Sequence, residues 1–124
     1  MTILVDSHCH LDFPDFATEG ADKIVQRATE RGVGYMQTIC THISKFDQVR
    51  AVAEKFPNVF CSVGVHPHHS NEDSEQTTTA EIIEKSNHPK VIGIGEAGLD
   101  YFYDFSPKEK QKQVFRQHIE ACLE

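Results

Sequence analysis

The feature that most constrains the fold of this chain is the regular alternation of short apolar segments with longer amphipathic ones. The short segments are rich in β-branched and other apolar residues, and Gly, Pro, Asn or His bounds each of them, which is typical of strands. Strands are therefore predicted at residues 3–8, 34–40, 59–65 and 91–95.

The segments that follow these strands carry apolar residues at helical spacing. They predict helices at residues 21–28, 43–56, 80–83 and 114–123. Pro57 stops the second helix, while Ser106 and Pro107 are predicted to open the fourth as its N-cap and first-turn residue. The polar stretch 70–79 is predicted to be an irregular loop that leads into the third helix.

Strands that alternate with helices at this spacing indicate right-handed βαβ units and a parallel sheet. Four such units make half of a (β/α)8 TIM barrel, whose typical length is about 250 residues. The predicted fold class is α/β, with residues 1–124 forming a single partial domain, the N-terminal half of such a barrel. Because the fourth apolar stripe reaches Glu124, two hypotheses stay open: a fragment of a longer protein, or a half-barrel that closes by self-association through its open edges.

The net negative charge of the chain limits how it can bind a partner that carries phosphate groups. Its net charge is -7, whereas nucleic-acid binding normally uses a basic surface, so such a function requires bound cations or a local basic patch. No apolar stretch approaches membrane-spanning length, and the opening apolar run is too short for a signal peptide. The 4 cysteines are scattered, which favours reduced thiols and a cytoplasmic location, and Cys9 is expected to be an ordinary buried residue.

Two histidines lie at the end of the first predicted strand, in the segment VDSHCHLDF. Residues two apart on a strand project from the same face, roughly 7 Å apart. His8 and His10 can therefore bind one metal ion, and Asp6 on the same face could hold one of the histidines. Ile3 and Val5 are predicted to face the covering helices instead. Two histidines in an ordinary loop remain the alternative interpretation.

A carboxylate ends the fourth predicted strand, in the segment GIGEAGLDY. Glu96 is predicted at the same rim of the barrel as the two histidines, where it could supply a third ligand or bridge two metals. Alternatively, it only caps the next turn. Asp100 is predicted to orient a ligand or touch substrate, although Asp in a Gly-containing turn also has purely local uses.

A further histidine follows the third predicted strand, in the segment GVHPHHS. Pro67 restricts His66 to an extended conformation, and the alternation of the strand places His66 on the inward side. His66 is therefore predicted to contact a substrate phosphate or to lie behind the ligands. His68 and His69 are expected to be exposed loop residues.

These segments together resemble the TatD family of metal-dependent deoxyribonucleases, within the amidohydrolase-like barrels. LVDSHCHLD is similar to the opening signature of the family, VGVHPH to its third-strand segment and GEAGLDY to its fourth. The resemblance implies an eight-fold barrel that binds two divalent metal ions (Mg, Mn or Zn). It also implies hydrolysis of phosphodiester bonds in DNA, often from the 3′ end of single strands.

Carried over by position, the resemblance implies that His8 and His10 bind the first metal and that the catalytic Glu96 serves both. His66 resembles a residue near the substrate phosphate, and Asp100 is assigned to substrate binding with it. The remaining ligands of the family, two histidines and an aspartate from later strands, have no counterpart within the 124 residues. The chain is thus expected to carry about half of a two-metal site.

The main functional hypothesis is a cytoplasmic, metal-dependent DNase that acts as a 3′–5′ exonuclease on single-stranded DNA through a metal-activated water. Two alternatives stay open. One is a metal-dependent esterase or deacylase that acts on aminoacyl-tRNA, because metal chemistry does not choose the substrate. The other is a catalytically inactive half-barrel that serves as a binding module.

Overall fold

The computed structural model of the chain describes residues 2–124, in which strands alternate with α-helices. The strands are β1 (Leu4–Cys9), β2 (Val33–Thr38), β3 (Val59–Val63) and β4 (Val91–Ile94). The helices are α1 (Ala21–Glu30), α2 (Phe46–Glu54), α3 (Thr79–Ser86) and α4 (Lys108–Ala121). Short 3-10 turns in the loops are Pro14–Phe16, Ile43–Lys45, Pro67–His69 and Asp73–Glu75. None of the helices in the described range is long and apolar enough to cross a membrane.

The strands form one parallel sheet in the order β1-β2-β3-β4. The register pairs Asp6 with Met36, Met36 with Val59, and Val63 with Ile94. Strands that are neighbours in sequence are therefore neighbours in the sheet, as successive βα units require. The predicted parallel sheet is confirmed, and its strand boundaries differ from the predicted ones by about one or two residues, the usual scatter at element ends.

The hydrophobic core is centred on β3, the most buried strand. Val59, Cys61 and Val63 are fully buried in it. Helix α2 packs on this strand and contributes Phe46 and Val49, which are 2% and 1% exposed. Burying each such side chain stabilises the fold by roughly 1.5–3 kcal/mol. The two middle strands and α2 therefore form a stable base for the loops that follow the carboxyl ends of these strands.

The exposure of the first strand contradicts one prediction. Ile3 and Val5 were predicted to face covering helices, but they are 62% and 64% exposed. Strand β1 has a sheet neighbour on one side only, and the helix that follows it packs on β2. Among the described residues, this leaves β1 exposed on both faces.

A polar side chain caps the third helix but not the fourth. Thr78 caps α3, since its Oγ1 accepts a hydrogen bond from the Glu81 backbone N–H at 3.1 Å. The predicted N-cap of α4 was wrong by one residue, because the helix begins at Lys108 and Pro107 occupies the cap position. The Ser106 hydroxyl is engaged elsewhere, donating to the backbone oxygen of His68 at 2.8 Å. The stretch 70–79 is irregular as predicted, apart from one 3-10 turn and from Thr79, with which α3 begins.

Candidate metal centre at the carboxyl ends of the strands

The predicted site residues lie where the strands end. His8 is the second-last residue of β1, and His10, His66 and Glu96 follow β1, β3 and β4 within a few residues. Backbone hydrogen bonds between neighbouring loops fix their positions, since the Glu96 N–H donates to the Cys40 oxygen at 2.9 Å. The carboxyl ends of parallel strands meet at one edge of a sheet, and this sheet gathers all four residues at that edge.

The Glu96 carboxylate lies between two imidazoles. Its Oε2 is 3.4 Å from Nε2 of His8, and its Oε1 is 3.5 Å from Nε2 of His66. His8, His10 and Glu96 each place one ligand atom within 4.8 Å of those of the other two. The rings of His8 and His10 meet edge to face, with centroids 5.0 Å apart. The structure therefore brings together the three residues predicted as metal ligands, with His66 beside them.

These donor atoms fit a divalent metal ion. The distance of 3.4 Å between Nε2 of His8 and Oε2 of Glu96 exceeds an ordinary hydrogen bond and matches the separation of two ligands on one ion. Nδ1 of His10 is buried and has no hydrogen-bond partner among the described residues. An unpaired buried nitrogen is costly, and coordination or a bound water would satisfy it. Two imidazoles and a carboxylate form the kind of set that holds a catalytic ion with a position left for water.

His66 is oriented by its own loop. Its Nδ1 accepts a hydrogen bond from the His68 backbone N–H at 3.1 Å, so the neutral ring carries its proton on Nε2 and points it toward Glu96. Burial lowers the pKa of His66, and His68 and His69 lower it further against the opposing effect of Glu96. His66 is thus a neutral N–H donor at the rim, suited to an anionic oxygen.

Asp100 does not join this group. Its Oδ2 lies 2.5 Å from Nε2 of His68, and its Oδ1 accepts from the backbone N–H groups of Phe102 and Tyr103 at 3.0 and 3.3 Å. The hydrogen bond from His68 is the main cause that lowers the pKa of Asp100. Gln111 closes the loop by bonding both the N–H and the oxygen of the Asp100 backbone. Asp100 therefore organises the β4–α4 loop, and its contact with substrate stays a prediction.

Three nearby side chains differ from their predicted roles. His68 and His69 were expected to be exposed, but their side chains are only 23% and 27% exposed because Asp100 and Glu72 hold them. Asp6 holds a histidine through the backbone, since its Oδ1 accepts from the His8 N–H at 3.1 Å and not from the ring. These contacts depend on loop conformation, which the alternation pattern does not contain.

Cys9, the cysteine between the two histidines, is an ordinary thiol that is half-buried and not fully buried as expected. Its Sγ donates to the Gln37 backbone oxygen at 3.3 Å. Burial raises the pKa of Cys9 to about 12, and Asp6 and Asp12 raise it in the same direction. The group is protonated at neutral pH and is unsuited to be a thiolate ligand. The structure contains all 4 cysteines as free thiols.

A cleft of about 330 Å³ opens over the site and includes residues that sequence reasoning missed. It is lined by His8, His10, Phe13, Thr41, His42, His66, His68, His69 and Glu96. His42 follows the end of β2, and that position was the only signal in the sequence, because no motif contains it. Phe13 stacks on His10 with ring centroids 4.2 Å apart. Asp12 was also missed, and its Oδ1 is buried without a hydrogen-bond partner among the described residues.

Comparisons with known proteins show what the chain is similar to. The sequence profile of the family described as "TatD related DNase" matches residues 5–124. An "Uncharacterized metal-dependent hydrolase" of Buchnera aphidicola (subsp. Baizongia pistaciae) is 32% identical over 97% of this chain and 45% of its own length. The "3'-5' ssDNA/RNA exonuclease TatD" of Salmonella typhimurium is 33% identical over 98% of this chain and 46% of its own length.

The fold is also similar to a solved structure. The crystal structure of YjjV, a TatD homologue from Escherichia coli K12, superposes with a TM-score of 0.78 at 28% identity, over 96% of this chain and 46% of that one. The predicted fold, four βα units of a TIM barrel, is thereby confirmed. The chain spans about half the length of the curated relatives that it matches.

Proposed function

The chain belongs to the TatD related DNase family, and from this premise we propose that it contributes the N-terminal half of a divalent-metal-dependent nuclease. The proposed reaction is hydrolysis of phosphodiester bonds in single-stranded DNA, from the 3′ end. The Salmonella relative is named for this polarity on DNA and RNA, whereas several others are named only as metal-dependent hydrolases. A cytoplasmic location and a nucleic-acid substrate are part of the proposal.

The observation that carries the proposal is the convergence of His8, His10 and Glu96 at one edge of the sheet. When two divalent ions (Mg, Mn or Zn) are bound there, they lower the pKa of a water and polarise the phosphoryl group. His8 and His10 would hold the first ion, and Glu96 would be the catalytic carboxylate, because one of its oxygens faces the ligand His8 and the other faces His66 at the cleft. The ions would also offset the net charge of -7 where an anionic substrate binds.

We propose that His66 contacts the substrate and that Asp100 serves substrate binding indirectly, by positioning another residue. The Nε2–H of His66 faces the cleft beside Glu96 and can donate a hydrogen bond to a non-bridging phosphate oxygen. Asp100 acts through His68, whose ring it holds at 2.5 Å. Asp100 is therefore better described as a positioning residue than as a direct substrate contact.

The test is a nuclease assay with two single-stranded oligonucleotides, one labelled at the 3′ end and one at the 5′ end, in Mg²⁺, Mn²⁺ or Zn²⁺. The chain is assayed alone and joined to the C-terminal half of the Salmonella relative, which supplies the later strands. We expect the joined protein to release the 3′ label at once and to shorten the 5′-labelled strand progressively. Chelation by EDTA should stop both reactions.

The variant that tests the site is His8→Ala with His10→Ala, made in the joined protein. Its matched control is His88→Ala, because Nε2 of His88 pairs with Glu54 at 2.9 Å, outside the cleft. We expect the double variant to lose hydrolysis and the control to keep it. Turnover of aminoacyl esters without DNA hydrolysis would favour the esterase alternative, and DNA hydrolysis retained by the double variant would contradict the metal site.

A further inference from the structure

A second group of ligand-type side chains lies in the loops after β2 and β3, outside the set described above. His42 follows β2, His69 ends the 3-10 turn after β3, and Glu72 comes three residues later. Each places one ligand atom within 4.8 Å of those of the other two. The rings of His42 and His69 are inclined at 30° to each other, with centroids 3.7 Å apart. Nδ1 of His69 is hydrogen-bonded to Oε1 of Glu72 at 2.6 Å, so these two side chains are already in contact.

The state of the His42 ring suits a metal ligand. Its Nδ1 is hydrogen-bonded to Oγ1 of Thr41 at 2.9 Å, which leaves Nε2 without a protein partner in the described part of the chain. Metal-binding histidines usually bond their second ring nitrogen in this way, which fixes the ring orientation.

The two loops are already fixed to each other close to these ligands. Glu75 is fully buried and accepts hydrogen bonds from the Ser44 backbone N–H at 3.2 Å and from the Ser44 hydroxyl. Ser44 lies two residues after His42, and Glu75 lies three residues after Glu72. Protein contacts therefore already order the two loops, so less conformational entropy is lost when an ion binds.

We propose that His42, His69 and Glu72 form a separate site for a zinc-class divalent ion. Two imidazoles and one carboxylate select a borderline ion such as Zn²⁺ and leave a position for water or a phosphate oxygen. The site shares no ligand with His8, His10 and Glu96, although both groups border the same cleft.

The position of the site suggests what the ion does. The ring centroids of His69 and His66 are 5.8 Å apart, so an ion on His69 lies beside the histidine that faces the cleft. It adds positive charge to the rim of a chain whose net charge is -7. It also links the β2–α2 and β3–α3 loops a second time, in addition to the Ser44–Glu75 contact. Both effects favour an anionic substrate at this rim.

The test measures Zn²⁺ and Co²⁺ binding to the 124-residue chain by calorimetry and by the visible absorption of bound Co²⁺. The background variant His8→Ala with His10→Ala removes the first site, so any remaining stoichiometric binding belongs elsewhere. We expect this variant to retain about one equivalent of Zn²⁺, because two imidazoles and a carboxylate remain for it. Adding His42→Ala or Glu72→Gln should weaken that binding at least about tenfold.

The choice of test variant and control makes the result decisive. The Glu72 side chain is 47% exposed, so Glu72→Gln tests the ligand without disturbing the core. His88→Ala removes a histidine that is likewise paired to a glutamate, at 2.9 Å, and should leave binding unchanged. The proposal is overturned if the background variant binds no zinc, or if His42→Ala and Glu72→Gln change binding no more than His88→Ala does. Neither outcome depends on nuclease activity, so the proposed function is tested separately.

Discussion

The Glu96 carboxylate is the side chain whose replacement most directly tests the first metal site. Glu96→Gln keeps the size of the side chain but removes its charge and one of the oxygens that face His8 and His66. We expect Mn²⁺ to bind at least about tenfold more weakly, because a neutral amide is a poor ligand for a divalent ion. Isothermal titration against the parent chain measures the change.

The control for this substitution is Glu84→Gln, which removes the same charge from an exposed position on α3. If Glu84→Gln weakened Mn²⁺ binding to the same degree, net charge and not coordination would govern the affinity. Equal affinities of Glu96→Gln and the parent chain would remove Glu96 from the ligand set.

Buried histidines give the chain a predicted dependence of stability on pH. His118 is 2% exposed, its Nε2 accepts from the Val65 N–H at 3.0 Å, and its Nδ1 donates to the Val114 oxygen at 2.7 Å. Burial lowers the pKa of His118, and burial likewise lowers the pKa of His42 and His66. Because these pKa values are lower in the folded chain, the unfolded chain binds more protons below about pH 6.5. The free energy of unfolding is therefore highest above that pH and falls as the solution is acidified.

The measurement is urea unfolding at about pH 7.5 and about pH 5.5, on either side of the ordinary histidine pKa. We expect the free energy of unfolding to be lower at the acidic pH, and His118→Gln to make the difference between the two pH values smaller. A matched substitution is His88→Gln, at a histidine that is paired on the surface. An unchanged pH difference in His118→Gln would show that His118 does not contribute to it.

The sequence predicted His8, His10 and Glu96 as a group because strand alternation and strand ends determine their placement. The same reasoning did not find His42, since its approach to His69 depends on how two loops fold against each other through Ser44 and Glu75. Local loop bonding also explains why the Asp100 side chain pairs with His68 and does not join His8, His10 and Glu96.

The contact between the ends of β3 and β4 positions Glu96 and depends on a glycine. A Cβ added at Gly64 would lie 2.6 Å from the backbone carbon of Gly95 and 2.7 Å from its oxygen. Gly64→Ala should therefore push the end of β4 away, destabilise the fold by about 1–3 kcal/mol and weaken Mn²⁺ binding. Urea unfolding and metal titration of the same sample measure both effects.

A glycine in β2 supplies the control for Gly64→Ala. In β2, a Cβ at Gly34 would meet the Cγ2 atom of Ile3, an exposed side chain that can rotate away. Gly34→Ala should cost little stability and leave metal binding unchanged. A Gly64→Ala protein with the metal affinity of the parent chain would show that the β3–β4 approach does not position Glu96.

Strands and helices were predictable because their periodicity records which face is buried, whereas their exact ends were not. The start of α4 illustrates the reason. Ser106 has the residue type and position of an N-cap, yet its hydroxyl bonds the His68 oxygen across a different loop, and Pro107 takes the cap position. Such a tertiary contact competes with the local signal, and only the folded structure shows which one prevails.

The exposure of apolar side chains on the outer strands of the sheet could not be predicted from the sequence. In an intact barrel, the outermost strands pair with others and helices cover them. Here Leu4 and Val5 on β1 and Ile92 on β4 are 54%, 64% and 60% exposed. The alternation of apolar residues predicts burial for such strands, but burial also requires neighbours that lie on both sides of each one.

Open sheet edges that carry apolar side chains promote pairing between copies of a chain. We therefore expect the isolated 124-residue chain to self-associate in proportion to its concentration, as measured by sedimentation velocity over a wide dilution series. Val5→Lys with Ile92→Lys should shift the distribution toward monomer, since charged side chains on edge strands oppose pairing. Leu123→Lys is the matched control, because Leu123 is equally apolar and 81% exposed but follows α4, away from the sheet. A sedimentation coefficient that does not change with concentration would show that the exposed edges do not pair.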